Sequence, residues 1–221
     1  MDNSIPSFEQ LNKFAVNRGG EYEGIRQTLY DFQTYAQAGQ TSLNFFQVPQ
    51  GQGGKTIADT NMETAGTLPA PKHFLVQSIE LFFFPAEDIV TISNAAATDA
   101  VLTNNSNDVQ KFIEGGSLDF FIGSKSYLQE APLGRFPPKT KLDVEHSVAL
   151  QMKQATAADE AGQVSSDYSV AAGRPYFIAP NVLLTPTQNF NVKINWPTAV
   201  AISADARVGC VMDGVLYRLS Q

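Results

Sequence analysis

Residues that build most metal and disulfide sites are scarce in this sequence. Its 221 residues include one cysteine and two histidines. The single cysteine, Cys210, excludes an internal disulfide, and its apolar surroundings favour a buried, unreactive thiol. Zinc sites need several closely spaced histidine, cysteine or carboxylate ligands, and neither His73 nor His146 has such neighbours. We therefore predict structural roles for both histidines, with no metal and no cofactor.

Charged residues and long apolar runs are also limited. Charged residues make up 17% of the chain, and the net charge is −7. Nucleic-acid binding depends on clustered lysine and arginine, so direct, sequence-specific contact with nucleic acid is not expected. No apolar stretch reaches the ~20 residues of a membrane span. The first residues lack the basic start and apolar run of a signal peptide, so we expect synthesis in a cytoplasm.

Two segments resemble functional motifs without completing them. Residues 51–56 read GQGGKT, but a phosphate-binding loop needs a further glycine at the position of Pro49. A helix should follow such a loop, whereas prolines soon interrupt this segment. The Glu-His-Ser tripeptide at 145–147 cannot form a catalytic triad, because neighbours on a strand point to opposite faces. We predict that the protein is not an enzyme and has no catalytic residues.

The clearest pattern in the sequence is that of β-strands. Residues 189–196 alternate apolar and polar side chains without interruption, as in a strand with one buried and one wet face. Pro186 and Pro197 bracket this strand, since proline cannot donate a hydrogen bond to a sheet. Asn191 and Lys193 should be the more exposed side chains. The predicted core side chains are Phe190, Val192, Ile194 and Trp196.

The last β-rich segment, residues 207–219, contains Asp213 and Gly214 at its middle. This dipeptide is typical of a two-residue hairpin turn, and it also fits a bulge within one long strand. The hairpin would divide the segment into two short strands. We favour the bulge, with Val215, Tyr217 and Leu219 on one face.

The predicted strands are separated by segments rich in glycine, proline, asparagine and serine. They cover residues 42–48, 73–84, 117–122, 127–129, 141–150, 176–184, 189–196 and 207–219. This spacing is typical of a β-sandwich or barrel. The connections 51–71, 94–108 and 152–173 are long, which favours the crossovers of a jelly roll over a simple meander. We therefore predict an all-β fold, a jelly-roll sandwich of about eight antiparallel strands in two sheets, over residues 41–221.

An α-helix is predicted before the first strand. In residues 21–38 the apolar side chains recur at helical spacing, and Gly39 follows as a typical helix end. We assign residues 1–40 to an N-terminal arm with this amphipathic helix. The helix either covers the sandwich of its own subunit or packs on a neighbouring subunit. In the second case the subunit-interface candidates are Tyr22, Ile25, Leu29, Phe32 and Ala36.

The C-terminal segments TPTQNFNVKINWP and RVGCVMDGVLYRL resemble the closing strands of single jelly-roll coat proteins of tailless icosahedral bacteriophages. The similarity covers residues 43–219. It implies a structural virion protein, a capsid subunit that self-assembles into an icosahedral shell and has no active site. The implied partners are copies of itself and other capsid proteins, with an internal membrane or a minor coat protein beneath the shell. The implied location is the virion, after synthesis in the host cytoplasm.

A binding module is the alternative function. The same sandwich with long loops would suit a receptor- or carbohydrate-binding protein, such as a phage spike or fibre. Tyr127, Tyr168 and Tyr176 are the aromatic side chains that would contact a ligand in this case.

Overall fold

The structure is a computed structural model that describes residues 22–84, 108–136, 139 and 174–219. The strands are Tyr22–Tyr35 (β1), Ser42–Phe45 (β2), His73–Phe84 (β3), Ser117–Ile122 (β4), Lys125–Glu130 (β5), Tyr176–Leu184 (β6), Phe190–Asn195 (β7) and Ala206–Leu219 (β8). Residues 108–114 are helical (α1), and Leu133–Arg135 form a 3-10 turn. The prediction of a chain built mainly from β-strands is confirmed. Residues 1–21 of the predicted arm and the predicted strand 141–150 lie outside the described residues.

The strands form two antiparallel sheets of four strands each. We call β1-β8-β3-β6 the first sheet and β2-β7-β4-β5 the second sheet. Among the described strands, only β4 and β5 are consecutive in the chain and lie in the same sheet. At each of the six remaining steps from one described strand to the next, the chain changes sheet. The pairing is nested, because β1 pairs with β8, β2 with β7, β3 with β6, and β4 with β5.

The inner faces of the two sheets share one hydrophobic core. The predicted core side chains Phe190, Val192, Ile194 and Trp196 are each at most 3% exposed. Asn191 and Lys193 point the other way and are half-buried. The alternation read from the sequence is therefore confirmed in β7.

Trp196 closes one end of this core together with α1. Its indole Nε1 donates to the backbone oxygen of Phe112 at 3.1 Å. Its ring centroid lies 5.2 Å from that of Tyr35 and 5.3 Å from that of Phe112. The Asp108 carboxylate accepts the backbone N–H of Ser203 at 2.8 Å, which ties α1 to the β7–β8 connection. This end of the sandwich is filled by aromatic side chains from three parts of the chain.

The predicted N-terminal helix is wrong, because residues 22–35 form β1. This strand pairs with β8 along its whole length, from Tyr22 opposite Leu219 to Tyr35 opposite Ala206. Apolar residues lie on both of its faces: Leu29 packs in the core, whereas Phe32 packs on the outer side of the sheet. A strand with apolar contacts on both faces loses its period-two alternation, so its apolar residues also fit a helical stripe. Hydrogen bonding to a distant strand overrides this local pattern.

The C-terminal segment is one long strand, as predicted, but the predicted bulge at Asp213 and Gly214 does not lie in this strand. The irregularity itself lies in β3, where the register shifts between Val76 and Ser78 opposite Asp213 and Gly214. A Cβ at Gly214 would lie 1.9 Å from the backbone oxygen of Leu75. Glycine is therefore needed there because the backbones of β8 and β3 approach each other closely.

Candidate interaction surface

The side of the first sheet that points away from the core is called here the first outer face. Strand register arranges its side chains in rows across the sheet, and one row contains Thr28, Asp213, Ser78 and Phe177. Side chains directly opposite each other on paired strands lie on the same face. These rows place residues from both ends of the chain on one surface.

Phenylalanine side chains occupy one end of the first outer face. The Phe32 ring centroid lies 5.8 Å from that of Phe82 and 6.1 Å from that of Phe84. All three side chains are half-buried. Gly209 lies between them on β8, and a Cβ there would lie 2.2 Å from the Phe32 ring. The absence of a side chain at position 209 therefore lets the Phe32 ring lie across β8.

Arg207 covers part of this aromatic end. Its guanidinium carbon lies 4.4 Å from the Phe32 ring centroid, and its NH2 group donates to the Asp59 carboxylate at 2.9 Å. Hydrogen bonds from Thr56, assisted by the charge of Arg207, hold the pKa of Asp59 below its ordinary value. Cation–π contacts at exposed sites contribute about 0.5–1 kcal/mol. The aromatic end is thus partly shielded by a cation of the same chain.

An open depression of about 530 Å³ lies next to the aromatic end. Arg26 donates to Asp213 at 2.8 Å, and Lys139 donates to Glu80 at 2.6 Å, so each carboxylate has a cationic partner. The Arg26 side chain is nevertheless 81% exposed. Its hydrogen bond to Asp213 raises the pKa of Arg26. The residues that line the depression are Arg26, Gln27, Thr28, Glu80, Val211 and Asp213.

Phe177 protrudes from the same face, on the edge strand β6. Its side chain is 72% exposed, whereas Tyr176 and Ile178 on either side pack against the core. Successive strand side chains point to opposite faces, so Phe177 points outward above the buried Ser78. An apolar side chain of this size and exposure marks a candidate contact point.

The opposite end of the first outer face is closed by its own side chains. Tyr22, Leu75 and Tyr217 form a second buried cluster there. The His73 ring meets the Tyr22 ring edge-on, with centroids 5.6 Å apart, and its Nδ1 lies 3.1 Å from the Pro71 backbone oxygen. Burial lowers the pKa of His73 and raises the pKa of Tyr217. His73 therefore lies in a packed structural environment, and His146 lies outside the described residues.

The side of the second sheet that points away from the core, the second outer face, is mainly polar. Asn195 Nδ2 donates to the Asp119 carboxylate at 2.7 Å across the β4–β7 pair. The side chains on this face include Ser42, Asn44, Ser117, Asp119, Phe121, Gln129, Asn191, Lys193 and Asn195. Most of these side chains are half-buried, and Asp119 is buried. Phe121 is the one apolar side chain among them, so this face offers little apolar area to bury against a partner.

The described edge strands are each protected against further strand pairing. A loop covers part of β1, where the Phe32 N–H donates to the Asp59 backbone oxygen at 2.7 Å. Pro180 interrupts β6, and β2 has only four residues. β5 carries Lys125 and a register shift opposite β4. Lysine, proline, bulges and short strands all discourage edge-to-edge association.

The structure does not bring the five predicted interface residues together. Leu29 packs in the core, and Tyr22 belongs to the second buried cluster. Ile25 and Ala36 are half-buried, and only Phe32 belongs to the aromatic end of the first outer face. Phe177 is not among the residues predicted from the sequence. Its neighbours are also apolar, so no local alternation indicated which side chains of β6 point outward.

The GQGGKT segment has a structural role through its lysine. Lys55 forms an ion pair with the fully buried Asp31, whose other carboxylate oxygen accepts the Phe46 backbone N–H at 2.7 Å. This pair links the loop to β1 and to the end of β2. Cys210 is buried as predicted, and burial followed by the charge of Asp31 raises the pKa of its thiol well above the ordinary value.

Comparison with known proteins gives no relative for this chain. No family model, no curated protein and no solved structure matches it. In the part of the chain that the structure describes, no group of three or more histidine, cysteine or acidic side chains is placed to hold a metal ion. Likewise, no helix within the described ranges is long and apolar enough to cross a membrane.

Proposed function

We propose that this chain is a structural virion protein, a jelly-roll subunit that self-assembles into an icosahedral capsid. The observation that carries the proposal is the nested strand pairing, with sheet orders β1-β8-β3-β6 and β2-β7-β4-β5. Such an order is expected when one long antiparallel ribbon wraps into two facing sheets, as in a jelly roll, and it supports the proposal. Eight-stranded jelly rolls occur in viral capsid proteins and in lectins.

The way the chain uses its polar groups supports a structural role. The buried ion pair of Asp31 and Lys55 joins loops to the sandwich, and Asp108 anchors α1. The pairing of β1 with β8 ties the first described strand to the last. A shell subunit needs a rigid body of this kind, with its contacts on the surface.

Partners and location follow from the same proposal. The chain would assemble with copies of itself and with other capsid proteins in the virion, after synthesis in the host cytoplasm. Its net charge of −7 disfavours direct contact with a nucleic acid genome. An internal membrane or a minor coat protein would then face the genome.

Assembly of the purified chain tests this function. The full chain is expressed, concentrated over a range of ionic strength and pH, and examined by negative-stain microscopy and light scattering. We expect closed particles of uniform diameter. Single subunits under all conditions, including after addition of the other coat proteins of the source particle, would contradict the proposal.

The binding-module alternative is favoured by one observation on β5. Tyr127 is 47% exposed, with the Lys125 ammonium 5.2 Å from its ring centroid. By contrast, Tyr176 donates to Glu130 at 2.8 Å and packs against Phe136, while Tyr168 lies outside the described residues. A glycan array probed with the native chain and with Tyr127→Ala tests this alternative. Binding that the substitution abolishes would support it, and a native chain that binds no glycan would count against it.

A further inference from the structure

We infer that two copies of this chain bind each other through their first outer faces, with Phe177 of each copy inserted into the depression of the other. The inference rests on the proposed function and deepens it, because it names one subunit contact within the assembly. Phe177 protrudes from the same face that contains the depression.

The protrusion and the depression lie at opposite ends of one row of side chains across the first sheet. Thr28 and Asp213 line the depression on β1 and β8, and Phe177 stands at the other end of their row on β6. A two-fold axis running along β3, in the plane of contact, would carry the Phe177 of one copy over the depression of the other. The same rotation makes the second, identical contact. Such reciprocity is the requirement for a symmetric dimer interface.

The chemistry of the depression suits an aromatic ring. Val211 provides an apolar surface, and the largely exposed Arg26 guanidinium can lie against the face of an inserted phenyl ring. Attraction between cations and aromatic faces strengthens when water is excluded. Aromatic side chains that fill a partner's pocket are typical energetic centres of protein interfaces.

The charge of the first outer face also favours a second copy as the occupant. Two chains of net charge −7 repel each other over most of their surfaces. The charged side chains described on and beside this face form pairs of opposite sign, Arg26 with Asp213, Lys139 with Glu80, and Arg207 with Asp59. These pairs cancel locally, so repulsion between two copies is weakest where these faces meet.

The remaining described surfaces are less suited to the contact. The edge strands are protected by Pro180, by Lys125 and by a covering loop, and the second outer face is mainly polar. Face-to-face contact between first sheets is therefore the arrangement that buries the exposed Phe177 without adding a strand to either sheet.

The first test removes the protrusion. The full chain and its Phe177→Ser variant are compared by sedimentation velocity over a concentration series, with Tyr127→Ser as a matched control at an exposed aromatic of the second sheet. We expect the native chain and the control to dimerise with the same Kd, and Phe177→Ser to raise that Kd about tenfold or more. Circular dichroism, and Tm measured well below the native Kd, should be unchanged, since Phe177 lies outside the core. An unaltered Kd for Phe177→Ser, or a native chain that stays monomeric at its highest soluble concentration, would overturn the inference.

The second test fills the depression with Thr28→Trp. This variant should also fail to dimerise by itself, because its bulky side chain blocks the Phe177 of the other copy. A mixture of Phe177→Ser and Thr28→Trp chains should form heterodimers, since one intact protrusion then meets one intact depression. A folding defect would not be repaired by mixing. Absence of heterodimers, while each variant is folded and monomeric, would contradict the reciprocal contact.

Particle formation separates this inference from the proposed function. If native chains form shells and Phe177→Ser chains form the same shells, the contact is wrong and the capsid function stands. If native chains dimerise through Phe177 and never form shells, even with other coat proteins, the contact stands and the capsid function is wrong.

Discussion

The first outer face carries Phe32, Phe82, Phe84 and the protruding Phe177, whereas the second outer face is lined mainly by asparagine, serine, aspartate and lysine. Both sheets bury their inner faces in the same core, so this difference is not required by the sandwich itself. The second outer face offers polar side chains and little apolar area. Among the described residues, the cations Arg207 and Lys139 cover the aromatic end of the first outer face only in part, and Phe177 stays exposed.

The largest expected effect comes from the core that both sheets share. Trp196→Ala should lower the free energy of unfolding by about 3–5 kcal/mol, because it empties a buried aromatic site and removes the hydrogen bond to Phe112. Chemical denaturation followed by circular dichroism measures this change. Asn44→Ala, at an exposed site on the second outer face, should change stability by about 0.5 kcal/mol or less. Equal midpoints for the two variants would show that Trp196 does not lie in the core.

A smaller loss of stability should distinguish the first outer face from the second. Gly209→Ala should destabilise by about 1–3 kcal/mol, because the new methyl group displaces the Phe32 ring from β8. The same substitution in a Phe32→Ala background should cost much less, and a double-mutant cycle measures the coupling. Ser117→Ala on the second outer face serves as the control, with an expected change of about 0.5 kcal/mol or less. Additive effects of Gly209→Ala and Phe32→Ala would rule out the proposed packing.

Removing the cation that shields the aromatic end should have a weaker effect. Arg207→Gln loses the contact with the Phe32 ring and the ion pair with Asp59, and should cost about 0.5–1 kcal/mol. Added salt should reduce this difference, because the ion pair lies at the surface. Lys193→Gln on the second outer face is the control, and thermal unfolding at low and high salt is the measurement. A cost that does not change with salt would indicate that packing, and not charge, carries the contribution of Arg207.

The smallest expected effect is a pH dependence of stability that arises from one histidine of the first outer face, His73. Burial lowers the pKa of His73 below its ordinary value of 6.5, so the unfolded chain binds a proton more readily than the folded chain. The free energy of unfolding should therefore decline as pH falls from the pKa of His73 in the unfolded chain towards its lowered pKa in the folded chain. At pH values above the unfolded-chain pKa, His73 should have no effect on stability. His73→Gln should remove that part of the pH dependence of unfolding. If the native chain and the variant have parallel stability profiles between pH 7 and pH 5, about the range of an ordinary histidine, His73 is not the responsible group.

Much of the strand content was accessible from local pattern. The predicted bounds of β3, β4 and β6 agree with the structure, and the alternation in β7 identified its buried side chains correctly. These segments have clear breaks at both ends or clean alternation.

The candidate surface could not be predicted from local pattern. Phe177 lies among apolar neighbours, so its outward orientation has no local signal. Lys55 pairs with Asp31, which is 24 positions away, and no motif in the sequence indicates this pairing.

The sequence by itself determined the mainly β character of the chain, the position of most strands and the buried face of β7, because each depends on side chains within one short segment. Only the tertiary structure decided that residues 22–35 form a strand and that Phe177 points outward. Both depend on pairing between distant segments: Arg26 meets Asp213 across 187 positions of sequence, and β6 takes its register from β3. Local spacing cannot distinguish a helix from a strand with apolar contacts on both faces, and hydrogen bonds to a partner strand make that choice.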